Sequence, residues 1–261
     1  MISNDHGMAD SSTSPLDSLP TTRTAQVVAS SSESEGVARL EVVIPGPWRH
    51  RPGQVAELSI APGKDGFFAI ASAPHEAPRL VFLIKAGGSI SPQLMALNPG
   101  DCVTLRGPFG RGYEVTATTR ANPVTVAPLL LVGVGTALGA LRSALVDALE
   151  ASPRRPIALL VGIRRPEELC FSEELRAWQL RGVAIHLVAS RGGPAWDGLV
   201  GHVQDHVSAV VTALSQSGPP LCLIAGSEAF EDDLTEHLVA LGVPPASIQR
   251  NFRPDARDQG A

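Results

Sequence analysis

Leu129-Leu130-Leu131-Val132-Gly133-Val134-Gly135-Thr136-Ala137-Leu138-Gly139-Ala140-Leu141-Arg142-Ser143 reads as a buried strand, a tight turn and the start of an amphipathic helix, midway along a chain of 261 residues. The run is apolar up to Val132, passes through glycines flanking one threonine, and keeps apolar positions at Leu138, Leu141, Leu145 and Leu149. Such a turn can hold a phosphate. Gly133 and Gly135 clear side chains from the backbone, and the free N–H groups of a helix start face an anion. The glycine spacing is G-x-G-x-x-x-G, one residue longer than the dinucleotide fingerprint, and Ile163-Arg164-Arg165 stands where an acidic residue would end the next strand. On this stretch alone, a nucleotide site and an ordinary strand-to-helix turn both stay open.

Downstream, apolar strands at Leu129 to Val132, Pro156 to Val161, Ala184 to Ala189 and Leu221 to Ala225 each precede a helical pattern. The helices begin near Ala137, Ser172, Gly198 and Glu228, the last with Phe230, Leu234, Leu238 and Leu241 on one face. Strands alternating with helices predict a parallel sheet, whose ligands sit at the carboxyl ends of its strands. Gly133, Gly162, Ser190-Arg191 and Gly226-Ser227 fall on that edge. Upstream, from Thr24 to about Thr116, brief strands punctuated by Gly and Pro predict a small closed antiparallel barrel. Within it, Ser91 to Leu97 reads as a short helix with Ser91 as N-cap and Pro92 first, fed by Gly87-Gly88-Ser89. That loop is either a second anion cradle or the approach to a helix plugging the barrel.

The expected divisions are a disordered leader over 1–22, a barrel over 23–120, an α/β domain over 127–252 and a tail over 253–261. The leader carries no Lys or Arg before Arg23 and no apolar core, so it does not read as a signal or transit peptide. With 44% hydrophobic and 18% charged residues the composition is that of a globular protein, and no apolar run approaches the ~20 residues of a membrane helix. A net charge of −5 with scattered basic residues argues against nucleic acid. Cys102, Cys170 and Cys222 stand far apart, which argues against a cluster or a disulfide framework and fits a reducing cytoplasm.

A barrel with a Gly-Ser loop and a short helix, then a parallel half with glycines at its strand ends, resembles the ferredoxin–NADP reductase superfamily of flavin oxidoreductases. The blocks carrying the likeness are Phe67-Phe68-Ala69-Ile70-Ala71-Ser72-Ala73-Pro74, the loop Lys85 to Ser91, Gly107 to Gly112, Gly133 to Thr136 with Leu141-Arg142-Ser143, Leu160 to Arg164, Ala189-Ser190-Arg191 and Ala225-Gly226-Ser227. The first of these and the Arg250-Asn251-Phe252 ending are most similar to a fruit-protein-like branch of that superfamily. The resemblance implies an N-terminal FAD-binding barrel and an NAD(P)-binding α/β domain, taking hydride from NADP or NAD in its reduced form and passing electrons to a separate protein or a small molecule. It implies flavin contacts at Phe68, Ala69, Ile70, Ala71 and Ser72 and diphosphate contacts at Lys85, Gly87, Gly88, Ser89 and Ser91. For the nicotinamide nucleotide it implies Gly133, Gly135, Thr136, Gly162, Arg164, Ser190, Arg191, Gly226 and Ser227. Phe68, Thr136 and the terminal Phe252 are expected beside the reacting rings.

The chain departs from the family pattern at four places. Where the family's flavin strand reads Arg-x-Tyr-Ser, Gly66, Phe68 and Ala69 stand, so stacking is kept while the cationic grip and the hydroxyl are lost. Lys85 or Arg106 are the candidates to replace that charge. Ala137 replaces a glycine of the nucleotide turn, and Ala225 replaces a cysteine near the hydride path, for which Cys222 cannot substitute because three residues along a strand reverse the face. These losses support an alternative, a family member with weak or no flavin that serves as a nucleotide-binding or regulatory subunit. His202 and His206 share a helix edge but read as solvated, and no metal is expected. Glu173-Glu174 and Glu231-Asp232-Asp233 are assigned to helix first turns, where the dipole favours acids, with no chemistry of their own.

Overall fold

Two six-stranded sheets carry the chain in a computed structural model that describes residues 20–116, 118–119 and 122–251. The expected leader up to residue 19, Phe252 and the tail lie outside the described residues. The first sheet is antiparallel and contains β1 (Thr21–Ser34), β2 (Val37–Val43), β3 (Val55–Ala61), β4 (Lys64–Ala69), β5 (Arg79–Lys85) and β6 (Cys102–Phe109). Its spatial order is β4-β3-β6-β1-β2-β5. Alternate residues such as Leu40, Val42, Leu58, Phe82, Ile84, Val103 and Leu105 point inward and are buried, as a period of two requires.

The barrel is not closed, contrary to the sequence expectation. No ladder joins β4 to β5; just beyond β4 the gap is spanned by a backbone bond from Ala71 N to Val81 O (2.8 Å) and by Val81 N donating to Ser72 Oγ (3.2 Å). The chain leaves the sheet after Ala69, partway through the Phe67 to Pro74 block, and a helix of the second half packs into the gap, its Gly139 facing Ala71 and Leu83. The expected helix at Ser91 is also shorter. Here α1 spans Ser91–Met95, Ile90 takes the cap position without a side-chain cap bond, and Ser91 is buried inside the first turn. Five residues sum little dipole, so its start offers few oriented charges.

After a hairpin of β7 (Thr118–Thr119) and β8 (Asn122–Val126), the second half alternates β9 (Leu129–Val134), α2 (Leu138–Ala151), β10 (Ile157–Ile163), α3 (Ser172–Leu180), β11 (Ala184–Ala189), β12 (Leu199–Val200), α4 (Val203–Ser215), β13 (Leu221–Ala225), α5 (Glu228–Ala240) and β14 (Ile248–Arg250). All ladders of this sheet are parallel, in the order β12-β11-β10-β9-β13-β14. The chain steps outward from β9 to β12, then returns to the far side of β9. The carboxyl ends of β9 and β13 therefore form the switch point at which α/β sheets take ligands. The helix expected from Gly198 starts at Val203 instead, because Leu199 and Val200 pair with Val188 and Ala189. Asp205 Oδ2 accepts from His202 N at 2.7 Å and caps it.

One apolar cluster lies between the parallel sheet and α2 and α3, and it continues into Ala71, Val81, Leu83 and Tyr113 of the first half. A second fills the barrel and a third lies under α4 and α5.

Candidate functional site

A cavity of about 600 Å³ opens where the barrel fails to close. Phe68 and Ala69 of β4 and Leu83 and Lys85 of β5 form one wall, Gly88, Ser89 and Ser91 the rim, and Val134, Thr136, Ala137 and Gly139 the opposite wall, with Gly226 and Ser227 beyond. A second cavity of about 340 Å³ runs over the ends of β10 and β11, lined by Gly162, Arg164, Ser190, Val203, Gln204 and Phe230. Lys85, Val134 and Thr136 belong to both. Each volume is in the range of small-molecule sites.

Backbone requirements explain several glycines. Gly135 has φ +55 with open space around it, so the turn that carries Thr136 needs a residue tolerant of the left-handed region. Gly133 serves packing instead: a Cβ there would lie 2.6 Å from Leu141 Cδ1 and 3.1 Å from Ala225 O, and Gly133 does not line either cavity. Gly226 is covered by the Phe230 ring, whose Cδ1 is 2.3 Å from the position of a Cβ. At the rim, a Cβ on Gly88 would meet Ser91 Oγ at 2.8 Å. The N–H groups of Gly87, Gly88, Ser89 and Ile90 have no acceptor among the described residues. Successive open amides of this kind make an anion-binding concavity.

The structure brings Phe68, Ala69, Lys85, Gly88, Ser89, Ser91, Thr136, Gly226 and Ser227 to the first cavity and Gly135, Thr136, Gly162, Arg164 and Ser190 to the second. Ile70, Ala71 and Ser72 lie elsewhere, each fully buried. Ser72 Oγ accepts from Val81 N (3.2 Å), and its carbonyl accepts from Ser143 Oγ (2.7 Å) and His50 Nε2 (3.0 Å). Gly87 stands outside the lining, with φ +109. Arg191 is exposed and outside the second cavity, its N–H bonded to Arg164 O at 2.8 Å. Of the two candidate cations, Arg106 is engaged with Glu57 at 2.6 Å and over the Phe109 ring at 5.1 Å, away from the cavity. Lys85 is the basic residue that lines the larger cavity, with Asp65 as its acidic counterpart. Arg164 shares the smaller cavity with Glu168, to which it is paired at 3.4 Å.

Other polar groups were not legible as a pattern. Glu174 lies in the first turn of α3, but beyond the dipole it binds Arg142 (2.7 Å) and Arg39 (2.8 Å). Glu231 is buried and accepts from Gly226 N at 3.2 Å, holding the end of β13. Tyr113 donates to Ile224 O across the two halves (2.8 Å), and burial raises its phenol well above its ordinary value. Trp48 Nε1 donates to His50 Nδ1 (3.2 Å), so His50 Nε2 carries the proton given to Ser72, and burial lowers its pKa. Ala225 and Cys222 pack in clusters on opposite faces of the sheet, and burial pushes the Cys222 thiol up to about 12. His202 and His206 join no group of metal-binding side chains among the described residues.

Residues 131–236 match the family described as the oxidoreductase NAD-binding domain. Over 159 residues, 59% of this chain and 62% of the relative, the sequence is 36% identical to ferredoxin–NADP reductase B of Sorangium cellulosum. It is 32% identical over 164 residues, 59% of this chain and 51% of the relative, to the fruit protein pKIWI502 of Actinidia deliciosa. The chain thus spans less than two thirds of the length of either relative. Among solved structures, the ferredoxin reductase in carbazole 1,9a-dioxygenase superposes with a TM-score of 0.77 at 20% identity, covering 89% of this chain and 69% of that one. The two-sheet architecture is therefore shared at the level of fold.

Proposed function

We propose that the chain is a flavin oxidoreductase of the ferredoxin–NADP reductase type that binds FAD in the larger cavity and a nicotinamide nucleotide in the smaller one, a reading supported by the match to the NAD-binding domain family and by the likeness to a ferredoxin–NADP reductase. Electrons then pass from the nucleotide to the flavin and on to an acceptor. The observation that carries this reading is the wall common to both cavities, Lys85, Val134 and Thr136, where rings held on either side come together.

The lining suits these groups. Phe68, Ala69 and Leu83 offer an apolar surface to a flat ring, while Lys85 and the open N–H groups of Gly88 and Ser89 suit a diphosphate. Gly162 and Ser190 leave room at the strand ends for the second nucleotide, and Arg164, which shares the site with Glu168, is the guanidinium there for a 2′-phosphate, favouring NADP over NAD. When bound, the flavin supplies the capacity to take a hydride and release electrons one at a time. The protein supplies distance and orientation: Phe68 holds one wall, and the Gly135-Thr136 turn with Gly139 of α2 holds the other. The relatives' names pair reductases with ferredoxins, so a separate electron-carrier protein is the acceptor class we propose.

One observation favours a second reading. Asp65 opposes the single lining cation of the larger cavity, which weakens a dianionic ligand and suits a nucleotide-binding or regulatory subunit. Anaerobic titration separates the two. Reconstituted protein should show flavin absorbance that bleaches on adding NADPH or NADH. Protein that takes up nucleotide but gives no heat with FAD refutes the oxidoreductase reading and supports the other.

A further inference from the structure

We propose that Arg142 is a positioning residue that aligns the two walls of the cleft; this rests on the reading of the cavities as adjoining ring sites. Arg142 sits six residues beyond Thr136, one turn into α2, with its side chain 7% exposed. Its Nη1 donates to Ala71 O and to Glu76 Oε2, both at 2.8 Å, Nη2 donates to Glu76 Oε1 (3.1 Å) and Nε donates to Glu174 Oε2 (2.7 Å). Ala71 lies two residues past Ala69, in the buried segment that continues from the wall carrying Phe68, and Glu76 follows in the same segment. Glu174 belongs to α3 of the second half. One guanidinium thus fixes the Phe68 wall to the helix that begins at the Thr136 turn.

The clamp is built rather than incidental. Glu76 is held in turn by Ala73 N at 2.6 Å, and Ser143 Oγ reaches Ser72 O beside it. Glu174 also binds Arg39, which binds Glu41, which binds Arg79, so that charges alternate Arg79, Glu41, Arg39, Glu174, Arg142, Glu76 across both halves. Phe171 lies 5.6 Å from the guanidinium carbons of both Arg39 and Arg142 and adopts φ +57, a conformation rare for a bulky residue. A planar fork with fixed donor directions locks orientation as well as distance, which an ammonium does not. Misplacement by about 1 Å at a reacting centre lowers rate by roughly a hundredfold without requiring any loss of binding.

The test compares Arg142→Met, Arg142→Lys and Glu174→Gln with the parent protein. Affinities for FAD and for NADPH should stay within about threefold, while flavin bleaching at saturating NADPH slows roughly ten- to hundredfold in Arg142→Met and is partly restored in Arg142→Lys. A second readout needs no cofactor: spin labels on the exposed Cys102 of β6 and on Ala213→Cys of α4 report the distance between the halves, and its distribution should broaden in Arg142→Met. Affinities that fall while the saturated rate holds, or a rate and distance distribution that do not change, overturn the proposal. Should the Arg142 variants not fold, Glu174→Gln retains the bonds of Arg142 to Glu76 and Ala71 but replaces the carboxylate shared by Arg142 and Arg39 with a neutral amide of one acceptor oxygen, and a parent-like rate and distance in it overturn the proposal. If the parent protein takes up no FAD, the functional reading falls by itself, and the label distances alone decide for or against the clamp.

Discussion

Gly133→Ala distinguishes a glycine kept for packing from one kept for ligand approach. The new Cβ would lie 2.6 Å from Leu141 Cδ1 and 3.1 Å from the carbonyl oxygen of Ala225. Leu141 is fully buried, and the Ala225 oxygen is backbone of the adjacent strand, paired with Gly133 itself, so neither yields freely. Overpacking of this kind costs about 1–3 kcal/mol. Removing a glycine from a strand returns roughly 0.5–1 kcal/mol, which leaves a net loss of about 0–2.5 kcal/mol, centred near 1 kcal/mol, and at that centre a fall in Tm of roughly 2–4 °C for a chain of this size. Gly139→Ala is the comparator: its Cβ would meet Ala71 Cβ at 3.4 Å, an ordinary contact, in a helix where alanine is favoured by about 1 kcal/mol. Thermal unfolding followed by circular dichroism and nucleotide titration calorimetry below the transition supply both readouts. A Gly133→Ala protein with Tm within about 1 °C of the parent and a nucleotide affinity tenfold weaker would refute the packing account.

Lys85→Met should weaken FAD roughly tenfold, and more at low salt than at high, because it removes the cation that lines the larger cavity; equal affinities across salt would exclude the charge from the site. His50 gives a pH dependence of definite sign. Burial lowers its folded pKa below the ordinary 6.5, so the unfolded chain binds the proton more readily, and stability present above about pH 6.5 is lost as pH falls. The urea midpoint should therefore drop between about pH 7 and pH 5 in the parent and drop less in His50→Asn. Glu41 and Glu76, whose pKa values are lowered by Arg79, Arg39 and Arg142 against the opposing effect of burial, lose their contributions only below the ordinary carboxylate range. Equal slopes in the two proteins would show that His50 is not the group that titrates.

The second half of the fold was readable because its signals are local. Leu221 to Ala225 is an apolar run between Pro220 and Gly226, Ala184 to Ala189 is apolar but for His186 and stops at Ser190, and the structure places strands on those residues. The expected helix at Gly198 failed because Leu199 and Val200 satisfy a helical apolar face as well as a strand, and only pairing with β11 selects between them. The His202-x-x-Asp205 cap was the local signal for the true start. Barrel closure failed for a different reason: whether β4 and β5 pair depends on a helix that arrives some 70 residues later, as the 71-residue separation of Arg142 and Ala71 illustrates. At the site, glycines marked the strand ends, but not which of them face a cavity. Gly133 and Gly226 look alike in sequence, and only the positions of Leu141 and Phe230 tell what each glycine accommodates. Arg142, Glu174 and Glu231 were invisible as partners because their roles depend on groups brought together by tertiary structure.

The open seam between β4 and β5 also bears on how the protein can be divided. A fragment ending before β9 would present the unpaired edges of both strands together with Ala71, Val81 and Leu83, which the intact chain covers with α2. Bare edges beside apolar side chains recruit other chains. The barrel half is thus expected to self-associate when expressed by itself, and to regain solubility when the missing half is supplied in trans, so that the two halves melt as one cooperative unit rather than in separate steps.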